Sequence, residues 1–326
     1  MKRWTAMMLT AVMSSCMMLI AQGVRAQDYP SHSITLIVPF AAAGISDNQS
    51  RLLARKLAGQ LGKPVVVENR PGASGMIGAE EVARALPDGY TLLYGTHGTQ
   101  AANMALFKNI KLNPPKDLRA VHSLFRQSTV LVANANTPYR RLQDLIQQAK
   151  KQPGSINYAS AGSGTQTHLA AARLQAASDI TMTHIPYKGA GPALTDVLAG
   201  TVDIMFSYPE SVAQHIQSGK LRALAVAGQD RLNMFPDVPT MAESGYPNAA
   251  LEGWSGVFVP ANTPDAVVAK LAASIKNITE DPEVVRSMAS IGSFPMNLSD
   301  EAFQNFAEQE VAHWKDVVQQ SGAQLE

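Results

Sequence analysis

A strand, a turn of small residues, a helix and a second strand follow one another within residues 33–70, and this unit commits the chain to an α/β architecture. Ile34, Leu36 and Val38 form an apolar run ending at Pro39-Phe40. Three alanines and a glycine follow, small enough for a ligand to approach the backbone closely. Ser46 has the character of an N-cap, and Gln49 three residues later would complete a capping box. Leu52, Leu53, Leu57 and Leu61 then recur at helical spacing, and Gly62 stops the helix. A helix N-terminus behind such a turn offers unpaired N–H groups and the positive end of a dipole, which suits an anion. Turns of this kind also occur throughout α/β proteins without binding anything.

The rhythm continues. Pro64–Glu68 reads as a strand, Asn69–Gly75 as a turn, Ile77–Leu86 as a helix and Tyr90–Tyr94 as a third strand. Parallel sheets place ligands at the carboxyl ends of their strands. The turns 41–46 and 96–100 both fall on that edge. Pro114 and Pro115 interrupt the alternation, which restarts with a strand at Val130–Val132. Helices at 142–151, 168–177, 190–199 and 211–218 then alternate with strands at 156–159, 182–185, 202–207 and 221–227. From Pro264 onward the pattern is helical. The simplest layout has one lobe from 27–129 plus 226–326 and a second from 130–225, joined by two hinge crossings around a cleft.

Residues 1–26 are set apart as a secretory signal peptide: Lys2 and Arg3, an apolar run from Ala6 to Ala21, then Val24-Arg25-Ala26 before Gln27. Cys16, the single cysteine, lies in this leader, so the mature chain would hold no disulfide, thiolate nucleophile or thiolate-bound metal. With 27 basic and 26 acidic residues there is no concentrated basic surface for nucleic acid.

Ser160-Ala161-Gly162-Ser163-Gly164-Thr165 repeats the logic of the first turn, with exposed N–H groups, hydroxyls and a helix behind it. Thr167 stands where a dinucleotide fingerprint needs its third glycine, so no nucleotide cofactor is expected. The seven histidines show no metal spacing, and no G-x-S-x-G elbow surrounds Ser163. Trp254 and Trp314 read as packing residues, with Trp254 placed near the hinge. One anion-ready turn in each lobe, facing across a cleft, suits a carboxylate ligand.

The chain resembles the Bug-type (TctC-like) solute-binding receptors of tripartite tricarboxylate transporters. The segments VENRPGASG, SINYASAGSGTQTHLA and PYKGAGPALTDVLAG carry the resemblance, together with YPSHSITLIVPFAAAGISD and FPDVPTMAESGYP, over nearly all of the chain beyond the leader. It implies an α/β, two-lobed type II periplasmic binding protein, a Venus flytrap with a parallel-rich sheet in each lobe. It also implies a monomeric periplasmic receptor that is not an enzyme, binds a small organic anion without a cofactor and delivers it to membrane permease subunits.

Carried over to this chain, the resemblance places the ligand against Phe40, Ala41, Ala43, Gly44, Ile45, Ser46 and Asp47 on one side. Ala161, Ser163, Gly164, Thr165 and His168 stand on the other, with Thr96, His97, Tyr187 and Ser207 at further strand ends. The chain also departs from the family. The first turn commonly reads PFAPGGGTD, whereas Ala42, Ala43 and Ile45 here narrow it or favour a more apolar ligand. Ser207 stands where an aspartate is common, which argues against an amino-acid ligand unless Asp47 takes that role; Asp47 reads equally as a charge in the first helical turn that favours the dipole. Two other readings stay open: a sensor signalling to a membrane kinase, and an exported hydrolase or isomerase of organic acids.

Overall fold

The computed structural model describes residues 29–42 and 44–323; the expected leader and Ala43 lie outside them. Two β-sheets, each flanked by helices, make a two-lobed α/β molecule. The first sheet starts with β1 (Ile34–Val38), α1 (Ile45–Leu61), β2 (Val65–Asn69), α2 (Met76–Ala83) and β3 (Thr91–Thr96). Strand β1 pairs in parallel with both β2 and β3. A π-helical turn, Gly98–Ala102, follows β3, and the long strand β4 (Leu118–Gln127) comes after it.

Only Ser128 and Thr129 separate β4 from β5 (Val130–Asn134), which belongs to the second sheet. That sheet is completed by β6 (Asn157–Ser160), β7 (Thr183–Pro186), β8 (Ile204–Ser207) and β9 (Leu221–Val226). The helices between them are α3 (Leu142–Lys151), α4 (Gln166–Ser178), α5 (Ala190–Ala199) and α6 (Pro209–Gln217). The chain then re-enters the first sheet as β10 (Gly253–Pro260), continues as α7 (Asp265–Thr279), α8 (Pro282–Ala289) and β11 (Ser293–Pro295), and ends in α9 (Asp300–Ser321).

Both sheets are mixed, where parallel-rich sheets were expected. Their orders are β11-β4-β10-β3-β1-β2 and β7-β6-β8-β5-β9. Strand β10 runs antiparallel between β3 and β4, and β5 runs antiparallel between β8 and β9. The strands at the crossings arrive from the other lobe, so no helix returns them to the same sheet and the parallel βαβ rule does not govern them. Strand β10 is buried at every position, yet its two glycines hide it in the sequence.

The return to the first sheet comes at Gly253, later than the expected crossing at 226. Residues 227–251 stay with the second lobe. Met241 N–H donates to the Val226 carbonyl and Leu251 N–H to the Ala227 carbonyl, both at 2.9 Å. Leu232 and Phe235 pack into the cluster around Val130, Val132 and Met205. Helix α9 makes a third link between the lobes. Phe303 and Ala307 pack against Ile37, Leu93 and Phe258 of the first lobe, whereas Trp314, Val317 and Val318 join Leu131, Leu169 and Phe206 of the second.

The capping box at Ser46 and Gln49 does not form. Gly44 is the N-cap of α1 and gives no side-chain cap. Gln49 instead turns inward and is 2 % exposed, because the core offers it stronger partners. Tyr94 Oη donates to its Oε1 at 2.5 Å, and its Nε2 donates to Ser293 Oγ at 3.2 Å.

Candidate functional site

A cavity of about 360 Å³ lies between the lobes. The first lobe contributes Phe40, Gly44, Ile45 and Ser46 at the start of α1, Ser74 from the turn before α2, and Thr96, His97, Gly98 and Asn103 after β3. Ser163, Gly164, Thr165 and Gln166 face them from the start of α4, with Tyr208 beyond β8. Gln127 and Trp254 close the cavity at the two crossings.

Each helix start has a reason to be there. In α1 the first helical bond is Asn48 N–H to the Gly44 carbonyl, and in α4 it is Leu169 N–H to the Thr165 carbonyl. The amides ahead of them have no partner within their helix. Two positive helix ends thus meet one cavity, each worth about half an elementary charge. Gly162 and Gly164 hold φ of 133° and 78°, which a side chain would strain. Thr96 and Thr99 lock the turn after β3, since Thr96 N–H donates to Thr99 Oγ1 at 2.9 Å.

No lysine, arginine, aspartate or glutamate lines the cavity among the described residues. Its titratable groups are neutral near pH 7. Burial lowers His97 to about 4, and burial pushes the Tyr208 phenol up. The His97 ring accepts at Nδ1 from Trp254 N–H, 3.4 Å away. An anion here would be met by neutral N–H and O–H donors and helix ends, with no counter-ion.

A chain of amides runs from the cavity wall into the first lobe. Tyr208 Oη donates to Gln166 Oε1 at 3.0 Å, and Gln166 Nε2 donates to the Gln127 carbonyl at 3.0 Å. Gln127 Nε2 in turn donates to Gln49 Oε1 at 3.2 Å. Hydrogen bonds in series therefore connect β8, α4, β4 and α1.

Several expected site residues fall elsewhere. Asp47 is 3 % exposed and held by Arg51 Nε and Asn69 Nδ2, each at 3.0 Å, so its carboxylate braces the turn from behind. Ala41 is exposed outside the cavity, and Ala43 is outside the described residues. The Ala161 N–H is taken by Thr167 Oγ1 at 3.0 Å. Gly164 lines the cavity, but its N–H donates to His168 Nδ1 at 3.1 Å. His168 itself faces a separate, larger groove of about 620 Å³ beside the second lobe and stacks on His184 at 4.0 Å. That groove lacks the first-lobe turns, so the interlobe cavity is the stronger candidate despite its smaller size. Tyr187 Oη donates to Asp196, away from the cavity, at 2.5 Å. Ser207 is buried in β8 at 1 % exposure, and the next residue, Tyr208, reaches the cavity in its place.

The chain matches the family described as "Tripartite tricarboxylate transporter family receptor" (TctC) over residues 49–323. The chain belongs to this family. It is 38% identical over 307 residues to Protein BugT of Bordetella pertussis, an alignment covering 94% of each chain. The structure of an R. palustris protein with adipate superposes with TM-score 0.80 at 30% identity, covering 91% of this chain and 100% of that one. MatC from Rhodopseudomonas palustris with bound malate superposes with TM-score 0.75 at 31% identity, covering 89% and 100%.

In this TctC-family receptor Ser74, Asn103, Gln127, Gln166, Tyr208 and Trp254 also line the cavity, where the sequence motifs do not place them. Gln166 carried a local signal, since it immediately follows the second turn and opens α4. Tyr208 carried another, as the residue leaving a strand. Trp254 carried only its expected place near the hinge, and Gln127 carried none, because both reach the cavity through the crossings.

Proposed function

We propose that this protein is an extracytoplasmic solute receptor that holds a small carboxylate in the interlobe cavity and hands it to membrane permease subunits of a tripartite transporter. The observation that carries this reading is the convergence of two helix N-termini on a cavity lined by neutral donors. A carboxylate accepts several hydrogen bonds at once, and charge-assisted bonds are roughly twice as strong as neutral ones. The relatives solved with adipate and with malate support the same ligand class. Among the described residues the wall holds no fixed cation, which favours a ligand that can leave again, as delivery requires.

The protein acts by binding alone, as a monomer, after its leader is removed on export to the periplasm. Ligand bridging the two turns favours a closed arrangement of the lobes, and the permease recognises that form. The residues we assign to the ligand are Phe40, Gly44, Ile45, Ser46, Thr96, His97, Ser163, Gly164 and Thr165, with Gln166, Tyr208 and Trp254 added from the geometry.

Isothermal titration of the protein with mono-, di- and tricarboxylates tests the proposal. Saturable one-to-one binding of one class is the expected result. A purified, ligand-free protein that binds no carboxylate would overturn it.

A further inference from the structure

The cavity wall at His97 is built by a closed loop of four residues, two of them on strand-end segments and two on the C-terminal helix, with one link made by the main chain of Trp254. Glu310 Oε2 accepts from Trp254 Nε1 at 2.7 Å and from Trp314 Nε1 at 2.8 Å. Trp314 stacks on the His97 ring, with centroids 4.4 Å apart and planes inclined by 24°. The loop closes where the main-chain N–H of Trp254 donates to His97 Nδ1. Trp254 and His97 both line the interlobe cavity, whereas Trp314 is fully buried behind them. Glu310 does not line that cavity; it belongs to a smaller groove on its far side, with Arg126, Met296 and Phe306.

An indole N–H is a donor only, and a buried one needs an acceptor. A single carboxylate oxygen serves two indoles here, which fixes the planes of both. The stack on Trp314 then sets the plane of His97. With Nδ1 occupied as an acceptor, the ring carries its proton on Nε2.

We propose that Glu310 is a positioning residue of the ligand cavity: by fixing the Trp254 indole at the wall and the Trp314 indole that stacks on His97, it holds the His97 ring in place as a hydrogen-bond donor where a carboxylate meets the wall. This deepens the receptor reading and rests on it for the ligand class. It also gives α9 a role beyond linking the lobes. The same helix face that packs on both lobes delivers Glu310 between the two tryptophans, so the wall is in register only when α9 is seated.

Glu310→Ala removes the shared acceptor, while Glu310→Gln keeps an oxygen at the same place. In the ligand-free full protein, long-range 1H–15N NMR of the imidazoles reads the His97 tautomer, and indole exchange reads the two tryptophans. The expected result is slow indole exchange and an Nε2–H tautomer at His97 in wild type and Glu310→Gln. In Glu310→Ala both indoles should exchange fast and His97 should become a tautomer mixture. Titration with malate and adipate as probes should then show affinity about tenfold lower in Glu310→Ala and near wild type in Glu310→Gln. A destabilised Glu310→Ala that keeps the single His97 tautomer and slow indoles would overturn the positioning role, as would unchanged affinity for a probe that wild type binds. A wild type that binds neither probe, nor any other carboxylate, overturns the receptor reading instead, and the ligand-free spectra still decide whether Glu310 sets His97.

Discussion

Gln166 Nε2 donates to the main-chain carbonyl of Gln127 at 3.0 Å, which ties the first turn of a second-lobe helix to the strand that leaves the first lobe. Both residues are buried and both line the cavity. The same amide accepts from Tyr208 on its other side, so one side chain joins the cavity wall to the crossing.

Gln166→Ala should lower unfolding stability by about 1–3 kcal/mol, because it leaves the Tyr208 hydroxyl and the Gln127 carbonyl without this partner. It should also weaken carboxylate binding by loosening the helix start. Urea denaturation gives the first effect and calorimetric titration the second. A change under half a kcal/mol would show that water replaces the amide without cost.

At Gly253 the space is already taken. A Cβ there would lie 2.4 Å from Gln166 Oε1 and 2.8 Å from His97 Cε1. Gln166 can yield only by giving up its two hydrogen bonds. Gly253→Ala should therefore cost about 1–3 kcal/mol of stability and weaken binding, with far-ultraviolet circular dichroism unchanged. Wild-type affinity in this variant would mean that neither neighbour needs its place.

Ser163 stands on the second turn, exposed and lining the cavity. If its hydroxyl donates to the ligand carboxylate, Ser163→Ala should weaken binding by about 1.5–3 kcal/mol, the value of one hydrogen bond to a charged group. Calorimetry should show this as an affinity loss of at least tenfold with stability unaltered. An unchanged dissociation constant would remove Ser163 from the ligand's partners.

Burial lowers both His97 and His168 to about 4, below the ordinary value of 6.5. The unfolded chain then binds more protons than the folded one between those two values. Stability contributed by the neutral rings is fully present above pH 6.5 and falls as the pH drops toward 4. The slope is at most about 1.4 kcal/mol per pH unit for each histidine. Denaturation curves at pH 7, 5.5 and 4.5 should show this loss, and it should be reduced in His97→Asn and in His168→Asn. Equal slopes in wild type and both variants would assign the acid sensitivity to other groups.

Asp47→Asn separates bracing from binding. Its carboxylate holds Arg51 and Asn69, and Asn69 Nδ2 also donates to the Phe40 carbonyl at 3.0 Å. The variant should unfold at lower urea concentration but keep the wild-type preference among carboxylates. A changed ligand preference would place Asp47 at the ligand after all.

The sequence by itself determined the strand–turn–helix units and the two small-residue turns. Their signals are local: apolar spacing marked β1 and α1, and glycines marked the turn at 162–164, whose positive φ angles depend on those residues alone. The motifs of the resemblance brought the family with them. Tertiary structure decided the rest. Gln49 reads as a cap in sequence and is a core amide in the fold, because Tyr94 and Ser293, far along the chain, offer it a drier set of partners. Ser207 and Tyr208 exchange roles by one position, since the pleat of β8 and the turn after it settle which of them meets the cavity. Gln127 and Trp254 become neighbours of Gln166 only when two crossings bring separate sheets together, and Glu310 meets Trp254 only when α9 docks across both lobes. Spacing along one element cannot encode such encounters, because they are fixed by the burial of surfaces that belong to separate elements far apart in the chain.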